Sequence, residues 1–408
     1  SVIVGQFVGK EALSSVGGSA GQIISLVVGF FTGLSTGATV IISQYFGAGK
    51  KREIEESLHT SYAFSILGGF VLGILGIAFA PYILHWMNTP KELLAESTLY
   101  VRVYFSGLIF IFIYNMGAAI LRAIGDSKRP LYYLIICSVI NIVLDLVLIL
   151  VIPLGVLGAA IATLIAQAVS AVMVTVTLMY RTEGMKLCLS KIRIYKKMLG
   201  NIFRIGFPAG LEAILYSVSN IIVQVAINNF GVDTMAAWTA YSKIDFIFWM
   251  INSAFGISIM TFVGQNYGAG KWDRIRKGTK ICLGMALVSA VFVSVVLMTA
   301  ERTLFGIFVN DAAVIDIGIR MMNVIAPAYM LFAFIEVFSG ALRAQGAVLV
   351  STLITMIGIC AFRMVWVMVI AAHGTLEQVI FCYPVTWLVS AILISIYYVY
   401  KQKKIFNA

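Results

Sequence analysis

The stretch from Gln44 to Lys50, QYFGAGK, returns at Gln265 to Lys271 as QNYGAGK, with five identities in seven positions at an offset of 221 residues. A second pair, LRAIG at 121–125 and LRAQG at 342–346, matches at four of five positions with the same offset. Two matches that share one offset are difficult to obtain by chance. The sequence therefore predicts an internal duplication, with two equivalent halves.

The composition predicts that both halves lie in a membrane. Hydrophobic residues make up 61% of the 408 residues and charged residues only 12%, and the mean hydropathy is +0.97. A soluble protein of this length could not bury so much apolar surface, so lipid must be the solvent for most of it. This excludes a cytosolic enzyme, a secreted disulfide-rich protein and a disordered regulator. Basic cytoplasmic loops explain the net charge of +11 better than nucleic acid does, so we expect no nucleic-acid partner.

Long apolar stretches without alternation of polar and apolar residues predict eleven complete transmembrane helices. Their predicted ranges are 12–46, 54–87, 92–124, 128–152, 155–180, 199–230, 232–266, 273–300, 312–345, 348–372 and 376–400. Of the 29 basic residues, 22 lie in alternate connections and at the C-terminus. By the positive-inside rule, these segments are cytoplasmic, in a multi-pass protein of the cell membrane.

The repeat also aligns Ser1 with the last third of the predicted helix 199–230. We therefore expect residues 1–8 to be the end of a first helix that is mostly missing from this chain. With that helix restored, each half has six spans, and an even number gives both halves the same orientation. The predicted fold is all-α: two parallel six-helix bundles in the membrane, with lobes at 1–181 and 199–408 and a cytoplasmic connector at 182–198.

Six ionisable residues lie well inside predicted spans. They are Asp145, Glu212, Lys243, Asp245, Glu336 and Arg363. A charge at the centre of a membrane helix is costly, so these side chains must face a bundle interior or a cavity. For Lys243, Asp245 and Arg363 we favour structural ion pairs, and for the other three we favour a role in transport.

Asp145 has the most informative surroundings. Asn141 precedes it by one helical turn and lies on the same face. Thr163 lies in the next span, about as far after the turn at 153–155 as Asp145 lies before it, so both should be at the same depth. A carboxylate, a carboxamide and a hydroxyl that converge there predict a site for a proton or a sodium ion. We expect no cofactor apart from this coupling ion.

Three other features favour structural interpretations. The sequence GAGK at 47–50 and 268–271 lacks the full phosphate-loop pattern and predicts a tight turn after a helix. Glycines at 29, 33 and 37 make one helix face smooth, which is typical of close helix packing. The histidines at 59, 85 and 373 are isolated, so we expect no metal site with histidine ligands.

The chain resembles the multidrug and toxic compound extrusion (MATE) transporters along essentially its whole length. The resemblance rests on VGQFVG at 4–9, ALSSVG at 12–17, GLSTG at 33–37, the paired Leu-Arg-Ala segments and FPAG at 207–210. It implies two six-helix lobes that form a V around a central cleft. It also implies export of cationic or amphipathic compounds in exchange for Na⁺ or H⁺.

The resemblance assigns roles to single residues. Prokaryotic members form a cation site from an Asn and an Asp one turn apart on the fifth helix and a Thr on the sixth, and Asn141, Asp145 and Thr163 match this pattern. A fourth partner in the family, an Asp on the first helix, would precede Ser1. Glu212 and Glu336 lie on helices seven and ten, where other members carry acidic residues. At the repeat offset Glu336 corresponds to Asn115, and we predict that these three residues belong to the substrate cleft.

The resulting expectation is a monomeric transporter of small-molecule drugs or amphipathic cations rather than an enzyme. The nearest alternative is a major-facilitator transporter, which also duplicates six helices in parallel. A flippase for lipid-linked saccharides, within the same wider superfamily, is the second. A membrane-embedded enzyme such as an acyltransferase would need a catalytic His or an acidic pair near an interface, which the three dispersed histidines do not supply.

Overall fold

All regular structure in the described part of the chain is helical, as the apolar stretches predict. The computed structural model describes residues 7, 10–87, 89–180, 185–370 and 374–406. Most of the predicted helix stub 1–8 and His373 lie outside these ranges. The chain divides into two compact units, Ser1–Gly210 and Leu211–Ala408.

The first unit is built from membrane-length helices joined by short turns. Its helices are α1 (Lys10–Gly17), α2 (Ser19–Gly47), α3 (Lys51–Trp86), α4 (Lys91–Ser106), α5 (Leu108–Ala123), α6 (Lys128–Leu146) and α7 (Gly155–Tyr180). A π-helical segment, Val147–Val151, extends α6. Helix α8 (Lys196–Asn228) begins in this unit and continues into the second.

The second unit repeats the pattern. Its helices are α9 (Val232–Gly268), α10 (Trp272–Thr299), α11 (Glu301–Gly306), α12 (Ala312–Ile325), α13 (Tyr329–Ala344), α14 (Val348–Thr355), α15 (Phe362–Ile370), α16 (Leu376–Ile380) and α17 (Cys382–Phe406). A π-helical segment, Met356–Ala361, joins α14 to α15. A 3₁₀ turn that contains Pro327 joins α12 to α13, because proline removes a backbone donor from the helix.

The prediction of eleven spans is confirmed. Among the described residues, ten helices are long and apolar enough to cross a membrane. The number becomes eleven when α4 and α5, which meet at a 49° bend, are counted as one span. Each of these helices overlaps one predicted range, and the chain is therefore a multi-pass, all-α membrane protein.

The internal repeat is visible in the helix boundaries. Helix α5 (Leu108–Ala123) and helix α13 (Tyr329–Ala344) have the same length and are offset by 221 residues at both ends. The two GAGK segments form the same turn, with Gly49 and Gly270 both at φ +67°. Side chains rarely adopt this left-handed conformation, which explains the glycine at both positions. The predicted turn is confirmed.

The smooth glycine face of α2 packs closely against the first part of α8. A Cβ on Gly33 would lie 2.5 Å from the Gly210 Cα, and a Cβ on Gly37 would lie 2.8 Å from the Gly206 nitrogen. Gly29, on the same helix, has no atom within 4 Å of its Cβ position. Close packing is thus confirmed for the second and third glycines of the series. The backbones of these two helices approach to distances that exclude any side chain.

The connector is pinned to the first unit. His59 is buried, and its two ring nitrogens contact the Glu55 carbonyl at 2.7 Å and the Cys188 N–H at 3.1 Å. The Thr60 hydroxyl accepts a hydrogen bond from the Tyr195 N–H at 3.1 Å, and Lys191 pairs with Glu55. The unit boundary at Gly210 lies inside α8, so the predicted connector groups with the first unit. The lobe boundaries inferred from the repeat stay a prediction.

The glycine contacts predict a difference between two similar substitutions on α2. Gly33→Ala should destabilise the protein by about 1–3 kcal/mol, because the new methyl group would overlap the α8 backbone, which cannot rotate away. Gly29→Ala is the matched control and should be neutral or slightly stabilising, since alanine favours the helix by about 1 kcal/mol. Thermal unfolding of both variants in detergent micelles measures the difference. Equal midpoints would contradict the close approach of α2 and α8.

Candidate functional site

The predicted contact between α6 and α7 is present. Asn141 Nδ2 donates a hydrogen bond to Thr163 Oγ1 at 3.4 Å. The Thr163 hydroxyl in turn donates to the Ala159 carbonyl at 2.9 Å, one turn earlier on α7. With its own proton engaged, the Thr163 oxygen presents only lone pairs to the space between the helices.

Asp145 lies one turn beyond Asn141, at the last turn of α6 before the π-helical segment. Its side chain is buried, with 6% of the residue exposed. Its Oδ1 atom is buried and has no hydrogen-bond partner among the described residues. A buried carboxylate oxygen without a donor costs free energy, which a bound proton or cation removes. Asp145 is therefore the group of this site that requires a ligand.

The donor set fits a hard cation or a proton. It consists of a carboxylate, a carboxamide oxygen and a hydroxyl oxygen, ligands that suit hard ions rather than zinc or copper. In the described part of the chain, no three His, Cys, Asp or Glu side chains cluster in a way that could hold a metal ion. The structure thus shows Asn141 in contact with Thr163, and Asp145 on the same helix face.

In the second unit, Glu212 is held by an arginine. Arg343 Nη2 donates to both carboxylate oxygens of Glu212, at 2.7 and 2.8 Å. Both side chains are largely buried, with 13% of Glu212 and 20% of Arg343 exposed. Arg343 belongs to the LRAQG motif, so this repeated segment supplies the cation of a buried ion pair. The Arg343 Nε atom is also buried and has no partner.

Glu336 lies close to this pair and interacts electrostatically with both members. Its carboxylate packs against the backbone of α9, where a Cβ on Gly256 would overlap the Glu336 side chain. Asn115 occupies the same place in α5 as Glu336 does in α13, the eighth residue of the helix. Its Nδ2 donates to the Ile111 carbonyl of its own helix at 2.8 Å. Whether these residues line one substrate cleft stays a prediction.

Asp245 is stabilised by aromatic donors. Trp249 Nε1 donates to Asp245 Oδ2 at 2.5 Å, and the Tyr329 hydroxyl donates to Oδ1. The Tyr241 hydroxyl lies 3.1 Å from that of Tyr329, which can accept its proton while donating its own to the carboxylate. The resulting relay runs from Tyr241 through Tyr329 to Asp245.

Arg363 is completely buried at the start of α15, directly after the π-helical segment. Its Nη1 donates to Asn220 Oδ1 at 3.0 Å. Its guanidinium carbon lies 4.3 Å from the centre of the Tyr383 ring and 5.5 Å from that of Tyr216. Its Nε and Nη2 atoms are buried and have no hydrogen-bond partner among the described residues.

These contacts correct one expectation. Lys243, Asp245 and Arg363 form no ion pair with any other residue in the ranges that the structure describes. Asp245 is satisfied by neutral donors instead, and Arg363 by an amide and two aromatic faces. Sequence analysis missed this aromatic cluster, although Tyr241, Asp245 and Trp249 recur every four residues and so share one face of α9.

Comparison with known proteins gives a consistent family. The MatE family model matches residues 1–147 and 208–369. The chain is 29% identical to the probable multidrug resistance protein YoeA of Bacillus subtilis, over 98% of this chain and 89% of that protein. It is 27% identical to the probable multidrug resistance protein NorM of Thermotoga maritima, over 87% of this chain and 77% of that protein. These matches favour the MATE resemblance over the major-facilitator alternative.

Solved structures show the same fold. The outward-facing conformation of a multidrug resistance MATE family transporter of the MOP superfamily covers all of this chain with a TM-score of 0.93 at 21% identity, over 92% of that chain. A crystal structure of MATE in the straight conformation matches with a TM-score of 0.92 at 20% identity, again over 100% of this chain and 92% of the other. At this identity the likeness establishes the fold class alone.

The Glu212–Arg343 pair predicts unequal effects of two arginine substitutions. Arg343→Gln should destabilise the protein by about 3–5 kcal/mol, because it leaves the buried Glu212 carboxylate without its cation. Arg302→Gln is the matched control. That arginine pairs with Asp316 at the surface, where the two side chains are 71% and 59% exposed, and such pairs contribute about 0–1 kcal/mol. Thermal unfolding in micelles measures both, and similar midpoint changes would contradict the prediction.

Proposed function

This chain belongs to the MatE family, and from that premise we propose that it is a secondary active multidrug efflux transporter. In this proposal it exports cationic or amphipathic compounds in antiport with Na⁺ or H⁺. The names of the relatives support efflux of drugs, and the eleven spans supply the membrane setting. Efflux outward requires the orientation predicted from the basic loops, with the C-terminus in the cytoplasm.

The observation that carries the coupling proposal is the buried, unpartnered Oδ1 atom of Asp145. An anion in this position is stable only with a counter-ion, and a neutral carboxyl is stable only with a proton. The site therefore changes its ligand rather than its charge state when the driving ion leaves. Either ion can supply the free energy for export, provided that it leaves before or as the drug binds.

Sodium and protons make different demands on the neighbours of Asp145. A sodium ion needs several oxygen ligands, and the Thr163 oxygen has lone pairs available because its proton is donated to Ala159. The Asn141 carboxamide oxygen is a further ligand, since its Nδ2 group already points to Thr163. A proton needs only the carboxylate. Thr163 thus separates the two coupling modes.

The substrate side of the proposal rests on the second unit. Cationic, aromatic drugs require carboxylates, aromatic faces and apolar surface. Glu336 supplies a carboxylate that has no hydrogen bond in the described contacts, whereas the Glu212 carboxylate is occupied by Arg343. Of the predicted cleft residues, Glu336 is therefore the one best suited to attract a cation, and Glu212 positions Arg343.

No contact in the described residues favours the alternative of a lipid-linked saccharide flippase. Such a substrate carries phosphates and many hydroxyl groups, which call for clustered cations. The two buried arginines of the second unit are separately engaged, Arg343 with Glu212 and Arg363 with Asn220. Export of compounds with one or two charges is the better match.

Asp145→Asn should abolish gradient-driven transport, because an amide can neither release a proton nor balance the charge of a sodium ion. The measurement is ethidium transport in proteoliposomes under separately imposed Na⁺ and H⁺ gradients. Asp126→Asn is the matched control: that carboxylate pairs with Arg129 in the turn before α6, with 22% of its side chain exposed, and its loss should leave transport intact. Wild-type rates for Asp145→Asn under both gradients would show that Asp145 does not couple transport.

Thr163→Val should reduce sodium-driven transport more than proton-driven transport. The substitution keeps the branched shape of the side chain and removes the oxygen that a sodium ion would use. Thr163→Ser restores the oxygen and should restore sodium-driven transport. The same proteoliposome assay gives the ratio of the two rates for each variant. A ratio that does not change between valine and serine would exclude Thr163 as a sodium ligand.

A further inference from the structure

The second unit contains a cavity of about 470 Å³ between α8, α9 and α17. Its size falls in the range of small-molecule sites, about 300–1,000 Å³. Its wall carries the aromatic side chains of Trp238, Tyr241, Trp249 and Tyr383 together with the carboxylate of Asp245. Every lining residue belongs to the second unit. The cavity therefore combines apolar faces with a small number of polar groups.

Arg363 lies directly behind one wall of this cavity. The three residues that contact its guanidinium are Asn220, Tyr216 and Tyr383, and all three line the cavity. Asn220 and Tyr216 are one turn apart on α8, so they form adjacent parts of the same wall. The Asn220 side chain is the polar element between the guanidinium and the cavity. A change in its rotamer opens the way to Arg363.

The polar atoms behind this wall lack partners. Arg363 is 0% exposed, and its Nε and Nη2 atoms make no hydrogen bond with a described residue. The buried hydroxyl of Tyr216 also has no partner. A buried charge is stable only when it is paired, and leaving charge-bearing donors unmade is costly. Since no described carboxylate pairs with Arg363, the missing anion must come from outside the chain.

Asp245 does not supply that anion. Its two oxygens already accept hydrogen bonds from Trp249 and Tyr329, and it forms no ion pair with Arg363. The cavity thus has an acidic side that can attract a cation and a separate basic side with free donors. Tyr383 is the neighbour of the basic side and also packs at 5.9 Å against Trp238, in the aromatic wall.

From this arrangement we propose that the second unit binds zwitterionic aromatic compounds, whose carboxylate pairs with Arg363 and Tyr216. The guanidinium Nε and Nη2 groups form a planar fork that matches the two oxygens of a carboxylate. The cationic end of the same ligand faces Asp245, and its rings lie against the aromatic wall. The proposal rests on the proposed transport function and adds a substrate class to the simple cations.

The test uses two dyes that differ only in one group. Tetramethylrhodamine carries a free carboxylate on a cationic xanthene, and its methyl ester has the same rings and cation without the anion. Binding of each dye to the purified protein in detergent is measured by fluorescence anisotropy. The wild-type protein should bind the acid more tightly than the ester. Failure to bind the acid, or tighter binding of the ester, would overturn the proposal.

Arg363→Gln should weaken binding of the acid about tenfold or more, because charge-assisted hydrogen bonds are lost. Binding of the ester should be nearly unchanged. Arg320→Gln is the matched control, since that arginine is 59% exposed and pairs with Glu377, and it should alter neither affinity. Equal losses for both dyes, or no loss for the acid, would refute a carboxylate site at Arg363.

Tyr216→Phe decides the question if Arg363→Gln does not yield a monodisperse protein. It removes one hydroxyl and keeps the ring under the guanidinium, so the acid should bind several-fold more weakly and the ester equally well. An unchanged affinity for the acid would overturn the proposal. Because these are binding measurements, they stand apart from transport: a protein that binds the acid through Arg363 but moves no dye in proteoliposomes would refute only the proposed efflux.

Discussion

Every backbone amide and carbonyl in the hydrocarbon of a membrane must find its hydrogen-bond partner inside the protein. This constraint makes the described chain helical from one end to the other and concentrates its irregularities at a few places. The bend between α4 and α5, the 3₁₀ turn at Pro327 and the two π-helical segments are the main ones. With the backbone satisfied locally, helix contacts depend on shape, and the glycines of α2 and α8 give the closest approach in the first unit.

The same scarcity of water decides how charged side chains are held. The structure shows three solutions. Glu212 and Arg343 neutralise one another, and Asp245 is surrounded by phenol and indole donors. Asp145 and Arg363 are different, because each keeps at least one buried polar atom without a partner. These two residues, of opposite charge and in different units, are the ones whose surroundings call for a ligand.

The sequence predicted the features that depend on local pattern. Long apolar stretches located all eleven spans, and the 221-residue offset anticipated the equal lengths and identical turns of the two halves. The contact of Asn141 with Thr163 followed from counting residues on either side of a short turn. The partners of Glu212 and Arg363 could not be found in this way. They lie 131 and 143 residues away, and which helix faces meet over such separations depends on packing rather than on pattern.

The π-helical segments have a consequence for how such sites can arise and disappear. Each widened turn accommodates an additional residue, and one residue corresponds to a rotation of about 100° around an α-helix. Met356–Ala361 precedes Arg363, so the extra residue sets the angular phase of α15 and with it the direction of the guanidinium. Deleting one residue there would turn Arg363 away from Tyr216 and Tyr383 while leaving the hydropathy of the span almost the same. A single insertion or deletion, invisible to composition, is therefore enough to gain or lose a buried charge at this position.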